Sequence, residues 1–318
     1  MTAPEGPATG RYPLFSSFFA GCRATLLAFL ERIGLHDEAE ALIAREPNAE
    51  DLDHLLRAFL LSVPFENLGQ HSHPAGGGFA AVPAGTHVPS LEVHKTLKKV
   101  VYDRRGGCSF ELNFAFAWLL RSLGYSVRLS TSYVIKPGGP VPGHLALFVD
   151  GLGPQPLHAD PGFPKPGSMA AVLGVTATDS MMGDEYHFAA NDDPSAFGQT
   201  PEMARRCCQV LMRSRIGSAT ADAPAPATAE PVYLVNFEDD LALDCGEFRA
   251  GLAALLAHDA RNLFSQRRIC FVMRDGGFDR VGTDCVREIR HGKEVKREAL
   301  EDEAAYRVAL KQVAGITL

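Results

Sequence analysis

No two of the seven cysteines in this 318-residue chain are spaced Cys-x-x-Cys; the closest pair, Cys207 and Cys208, is adjacent. An odd, unpatterned set excludes a disulfide scaffold and fits a reduced intracellular protein. No apolar run is long enough to span a membrane, so no membrane partner is expected. Phe19-Ala20-Gly21-Cys22 has the look of a lipoprotein cleavage box. The apolar stretch before it is short and broken by Pro13, Ser16 and Ser17. It reads as a loose extension leading into a helix, and a cytoplasmic location follows as the expectation. Basic residues are not in excess. A formal net charge of −7 argues against a nucleic-acid binder while leaving room for one locally basic groove. Gly76-Gly77-Gly78 lacks the Lys-Ser/Thr of a phosphate-binding loop and has no strand before it. The chain has no internal repeat.

What is present is an ordinary folding composition, 46% apolar and 22% charged, on a chain long enough for two or three compact units. Leu26, Phe29, Leu30 and Ile33 recur at helical spacing, predicting a helix over 18–33 that stops at Gly34. A second helix is expected from 48 or 51 to 61, with Leu52, Leu55, Leu56 and Phe59 on one face and Pro64 ending it. Residues 69–90, rich in Gly, Pro and His, read as a long loop or insertion. Helix returns over 91–101, and again from Ser109 to Leu123. The second of these carries Leu112, Phe114, Phe116, Trp118, Leu119 and Leu120 nearly all round, as a buried helix does.

After Gly124 the period changes to two. Val127, Leu129, Thr131, Tyr133 and Ile135 predict a strand, residues 136–143 a Pro/Gly turn, and 144–149 its partner strand. Further strands are expected at 209–214 and 231–238, with a disordered Ala/Thr/Pro segment over 216–230. The last third predicts a helix over 245–258, strands at 268–273 and 280–285 around an Asp275-Gly276-Gly277 turn, and a helix over 301–313. Helices, then strands, then a mixture give an α+β multidomain protein. The expected divisions are an extension at 1–25, a helical unit at 26–124, a strand unit at 125–238 and an α/β unit at 239–318.

Covalent acyl transfer needs a nucleophile, a base and a group that orients the base. A helix N-terminus favours the nucleophile, because free N–H groups and the helix dipole stabilise negative charge there. Gly106-Gly107-Cys108-Ser109 entering an apolar helix has that layout. His144 opens a strand after a Gly/Pro turn, and Asp160 sits in Ala159-Asp160-Pro161-Gly162-Phe163. Cys or Ser, then His, then Asp thus follow in chain order. Plainer roles are open to the same residues: His144 as a strand residue bonded to the backbone, Asp160 as a turn-former before Pro161.

Five ordered motifs bring the chain close to a known family. Phe29-Leu30-Glu31-Arg32-Ile33-Gly34-Leu35 and Val63-Pro64-Phe65-Glu66-Asn67-Leu68 resemble the opening signatures of arylamine N-acetyltransferases. Arg105-Gly106-Gly107 with Phe110-Glu111-Leu112-Asn113 resembles the segment around their catalytic cysteine. Gly143-His144-Leu145-Ala146-Leu147 and Asp160-Pro161-Gly162-Phe163 resemble their His strand and Asp motif. The resemblance covers residues 26–318, most weakly after Gly167. It implies a helical domain, a β-barrel domain and an α/β lid around a triad core like that of the thiol proteases. It implies a xenobiotic-metabolising acyltransferase working by a ping-pong mechanism. Acetyl-CoA, a CoA thioester serving as acyl-donor co-substrate, loads the enzyme, and an arylamine, arylhydroxylamine or hydrazine removes the acetyl group. His144 becomes the base, Asp160 its orienting carboxylate, and Glu66 with Arg105 a structural salt bridge.

One position departs from the pattern. Aligned without a gap, Ser109 stands where the family has its cysteine, and Cys108 stands one residue earlier. Three readings follow. The natural residue at 109 is cysteine and Ser109 is an inactivating Cys-to-Ser exchange; or Ser109 is itself the nucleophile, as in an amide or ester synthase or an acyl hydrolase; or Cys108 is an alternative nucleophile, although its side chain should point about 100° away around the helix start. A non-catalytic acyl-CoA-binding protein is a further alternative. His71, His73, His87 and His94 read as a polar loop rather than a zinc site, and no metal is expected. Cys207 and Cys208 should face opposite sides of a strand. His158 reads as a neighbour of Asp160, and Lys95, Lys98 and Lys99 as a solvated helix face.

Overall fold

The computed structural model describes residues 23–71, 89–136, 138–163, 169–178, 184–193, 197–214, 229–242, 245–256 and 263–318. The extension before residue 23, most of the 69–90 segment (with His73 and His87) and nearly all of 216–230 lie outside the described residues.

Three helices open the fold: α1 (Arg23–Arg32), α2 (Ala39–Ala44) and α3 (Ala49–Ser62). Asn48 caps α3 by accepting the Asp51 N–H at 2.8 Å, and Leu52, Leu55, Leu56 and Phe59 are buried as the spacing predicts. A two-residue strand β1 (Phe65–Glu66) and a single turn α4 (Leu68–His71) follow. The helix predicted over 91–101 is shorter and irregular: α5 covers Val93–Leu97 and loosens into a π-helical turn at Lys98–Tyr102. α6 (Ser109–Ser122) is the central helix, buried from Ser109 through Leu120. Trp118 stacks on Phe29, and Phe116 meets Phe59 edge-on at 5.3 Å.

An eight-stranded antiparallel sheet stands against α6. In chain order it comprises β2 (Ser126–Lys136), β3 (Gly139–Asp150), β4 (Leu157–His158), β5 (Met169–Ala170), β6 (Thr176–Thr178), β7 (Glu185–Ala190), β8 (Gln209–Ser214) and β9 (Glu230–Val235). Its spatial order is β5-β4-β3-β2-β9-β8-β7-β6, and it curls into a half-barrel. A short helix, α7 (Pro201–Arg206), precedes β8. The predicted turn over 136–143 is mostly strand, since Ile135 pairs with Pro140 and Tyr133 with Pro142. The two prolines are two residues apart, so both direct their missing N–H to the same side of β3. Among the described residues β4 covers that strand only at Phe148 and Val149, leaving this stretch an edge where proline is tolerated.

The remainder folds as α8 (Gly246–Leu256), α9 (Leu263–Gln266), β10 (Ile269–Arg274), β11 (Gly277–Gly282), β12 (Cys285–Arg290), β13 (Lys293–Ala299) and α10 (Glu303–Ala314). The hairpin β12–β13 was not foreseen; every residue of β13 is exposed, so it lacks the alternation that marks a half-buried strand. The five-stranded sheet runs β1-β10-β11-β12-β13, so Phe65 and Glu66 form its first strand. Glu66 and Pro64 also bind the loop before α6. Glu66 N–H donates to Gly107 O at 2.9 Å and Gly107 N–H to Pro64 O at 3.3 Å. A Cβ on Gly106 would lie 1.9 Å from the Pro64 carbonyl oxygen, which is why that position takes glycine.

Candidate active site

Ser109 is the first residue of α6 and retains 6% exposure at the helix N-terminus. Its hydroxyl lies 3.5 Å from the carbonyl oxygen of Gly143, the residue before His144 on β3. His144 turns Nε2 to Asp160 Oδ2 at 2.7 Å, with both side chains buried. Helix start, strand and post-β4 turn thus bring together the three positions singled out in the sequence.

Asp160 is held from four directions. Oδ2 accepts from His144 Nε2 and from the Tyr233 hydroxyl at 2.8 Å. Oδ1 accepts from Asn113 Nδ2 at 2.8 Å and from the Phe163 N–H at 3.1 Å. Burial works against its charge, but His144, with further help from His158 and Asn113, holds its carboxyl below the usual carboxylate range. Asn113 lies one helical turn beyond Ser109, so both face the same side of α6. Its Nδ2 also donates to the Leu145 carbonyl, and its Oδ1 accepts from Gly162 N–H at 2.8 Å. Asn113 therefore fastens the helix to both the His strand and the Asp turn. A Cβ on Gly162 would meet the Ser109 carbonyl oxygen at 2.5 Å, so this contact also requires glycine.

Behind Ser109 lies a buried network of four charges. Arg105 Nη2 donates to Glu66 Oε1 at 2.8 Å, forming the expected salt bridge, and Glu66 Oε2 accepts the Leu68 N–H at 2.7 Å. Lys99 Nζ bonds both Glu111 oxygens, at 2.9 and 3.1 Å, and lies 3.8 Å from Glu66. Glu111 in turn accepts the Cys108 N–H at 3.1 Å, closing the cap on α6. Burial opposes the charge on both Glu66 and Lys99. Lys99 and Arg105 nevertheless hold Glu66 below its ordinary range, and Glu111 and Glu66 hold Lys99 above its own.

Lys99 is not part of a solvated face: it is 3% exposed, whereas Lys95 and Lys98 are exposed and pair with Glu92 and Asp103. At about 100° per residue Lys99 lies about 40° round from Lys95 towards buried Thr96, so it falls at the edge of the solvated face and turns inward to Glu111. Cys108 is buried, and burial together with the Glu111 carboxylate pushes its thiol far above the ordinary cysteine range. His158 is more than a neighbour, because its Nε2 lies 2.7 Å from the Tyr233 hydroxyl and 3.8 Å from Asp160 Oδ2. Its spacing of two from Asp160 on extended chain was the available signal. Tyr233, 73 residues from Asp160 in sequence, gave none. Cys207 is buried and Cys208 exposed, but the two precede β8 rather than lying within it, with Cys207 at the end of α7. His71 is buried in α4 rather than placed in a loop, its Nε2 3.0 Å from the Phe264 carbonyl oxygen, while exposed His94 lies beside Glu92.

A family model described as N-acetyltransferase matches residues 48–318, and the chain belongs to that family. The arylamine N-acetyltransferase pineal gland isozyme NAT-3 of Gallus gallus is 32% identical over 92 residues, an alignment covering 29% of this chain and 27% of that protein. This chain thus spans about a quarter of the length of the curated relative. Arylamine N-acetyltransferase from Mycobacterium marinum, solved in complex with CoA, superposes with a TM-score of 0.69 at 21% identity, covering 92% of each chain. An arylamine N-acetyltransferase from Bacillus cereus, described as having a Cys-His-Glu catalytic triad, gives a TM-score of 0.66 at 16% identity, covering 93% of this chain and 100% of that one. The fold is that of the arylamine N-acetyltransferases.

Proposed function

We propose that this protein transfers an acetyl group from acetyl-CoA to an arylamine, arylhydroxylamine or hydrazine, through an acyl-enzyme on Ser109. The His144–Asp160 pair carries this reading: a buried imidazole bonded through Nε2 to a carboxylate at 2.7 Å, beside a helix-terminal hydroxyl. With Nε2 occupied, Nδ1 is the ring nitrogen that serves the nucleophile.

In the first half-reaction Ser109 Oγ attacks the thioester carbonyl while His144 Nδ1 takes the hydroxyl proton. The tetrahedral intermediate collapses, the C–S bond breaks, and the CoA sulfur leaves with the proton that His144 returns. In the second half-reaction the amine attacks the Ser109 ester, His144 takes the amine proton, and Ser109 Oγ leaves protonated. Asp160 stays ionised and steadies the imidazolium in both. The first-turn N–H groups of α6 are suited to stabilise the oxyanion. The N–H of the preceding Cys108 is taken, since it is bound to Glu111.

A hydroxyl here is slower than a thiol. A cysteine at 109 would pair as thiolate with imidazolium, whereas serine must be deprotonated during attack. The test is steady-state transfer from acetyl-CoA to a panel of arylamines by the parent and by Ser109→Cys. Parallel double-reciprocal lines, with the cysteine form faster, support the reading. Intersecting lines, or no transfer by either form, contradict it.

A further inference from the structure

Asp160 Oδ2 faces not only His144 but a second, deeper imidazole. His158, on β4, is 1% exposed and ringed by Phe148, Phe188 and Tyr233, with centroids 5.4–6.2 Å away. Its Nε2 lies 2.7 Å from the Tyr233 hydroxyl, and that hydroxyl lies 2.8 Å from Asp160 Oδ2. Its Nδ1 is buried without a hydrogen-bond partner among the described residues.

The proton positions follow by elimination. Ionised Asp160 only accepts, so the single Tyr233 proton points at Oδ2. The Tyr233 oxygen is then an acceptor towards His158, whose Nε2 must carry the ring proton. A bare Nδ1 is what that tautomer leaves. Burial pushes His158 down to about 4, so the ring stays neutral wherever the His144–Asp160 pair works. The titratable groups facing it are Asp160, His144 and Tyr233. Tyr233 is pushed well above its ordinary value by burial and Asp160, so its proton stays in place.

We propose that His158 is a positioning residue of the acyl-transfer site: a neutral Nε2–H imidazole that orients the Tyr233 hydroxyl and, through it, the Asp160 carboxylate that holds His144. Chained donors polarise one another, so the His158 bond strengthens what Tyr233 gives Asp160. Without it, the Tyr233 oxygen loses the donor that polarises its hydroxyl, and the bond that hydroxyl gives Oδ2 weakens and is less firmly directed. The proposal rests on acyl transfer at Ser109 only for its kinetic arm.

Two measurements test it. The first is 15N NMR of histidine-labelled protein between pH 5.5 and 8.5, which requires no activity. His158 should show the neutral Nε2–H pattern throughout; an Nδ1–H tautomer or a charged ring overturns the proposal. The second is acylation kinetics with an activated acetyl ester for the parent, His158→Leu, His158→Gln, Tyr233→Phe and the Leu/Phe double variant. His158→Leu should slow acylation about tenfold, the scale typical of groups that orient an active imidazole. The midpoint of its pH–rate profile should rise, because Asp160 is then harder to keep ionised. His158→Gln, whose amide restores a donor to Tyr233, should recover most of the rate. In the Tyr233→Phe background the Leu exchange should cost nothing further. An unchanged rate and profile in His158→Leu, or losses that multiply in the double variant, overturn the proposal. If His158→Leu does not fold, the Gln form, Tyr233→Phe and the NMR decide. If the parent is never acylated, the NMR alone still tests the tautomer.

Discussion

Lys99 and Glu111 form a bidentate ion pair sealed inside the protein, with Nζ at 2.9 and 3.1 Å from the two carboxylate oxygens. The pair joins the irregular turn before the active-site loop to the cap of the helix carrying Ser109. Removing one charge leaves Glu66, Glu111 and Arg105 imbalanced without solvent. Lys99→Met should therefore cost about 3–5 kcal/mol in urea or thermal unfolding. An exchange costing no more than an exposed lysine would show that the network contributes little.

Cysteine chemistry separates positions 108 and 109. Cys208 is exposed, whereas burial and the neighbouring carboxylate keep Cys108 a thiol. Iodoacetamide at neutral pH, followed by peptide mapping, should label Cys208 and leave Cys108 unmodified. Cys108→Ala should keep its acylation rate within the same order of magnitude. Rapid labelling of Cys108, or loss of acylation in the alanine form, would restore it as the nucleophile.

Close backbone approach at Gly162 should make even a methyl group harmful. Its Cβ would lie 2.5 Å from the Ser109 carbonyl oxygen and 2.9 Å from Asn113 Cγ. Gly162→Ala should cost about 1–3 kcal/mol of stability by overpacking. Displacing Ser109 from His144 should also slow acylation by about 100-fold. Parental kinetics in this variant would show that the contact does not set the geometry.

Stability should fall with acid in two windows. His158 is depressed from 6.5 to about 4. Between those values the unfolded chain binds the proton that the folded protein refuses. This contribution is fully present above pH 6.5 and disappears as pH falls towards 4; it amounts to about 3 kcal/mol. Asp160 and Glu66 are also held below their ordinary values. Their contribution is present above pH of about 4 and is lost below it, as pH falls through their folded values. Melting temperatures across pH 4–8 should drop in the upper window for the parent and less steeply for His158→Leu. Identical slopes in both proteins would contradict the assignment.

Local chemistry made much of this site legible, and long-range chemistry did not. The double glycine, the helix start at Ser109, His144 opening β3 and Asp160 before Pro161 are each written within a few residues, and the fold brings them together. Asn113 was partly legible, being one turn from Ser109. Lys99 was misread because it sits at the border of the solvated face, where its buried partner Glu111 is twelve residues away, and the 136–143 strand because its prolines lie on a stretch unpaired on one side among the described residues. Tyr233 joins the site from β9, two strands across the sheet from His144 on β3, through strand pairing that no local spacing encodes. The buried network around Glu66 likewise depends on β1 crossing to the five-stranded sheet, which two residues of sequence cannot announce.

The most direct test of acyl transfer at position 109 is the intact mass of the protein after incubation with acetyl-CoA, with the adduct located by peptide mapping, for the parent and for Ser109→Cys. The expected result is one acetyl group on residue 109, formed faster on the cysteine form and removed from both when an arylamine is added. An adduct on Cys108, or none on either protein, would contradict it.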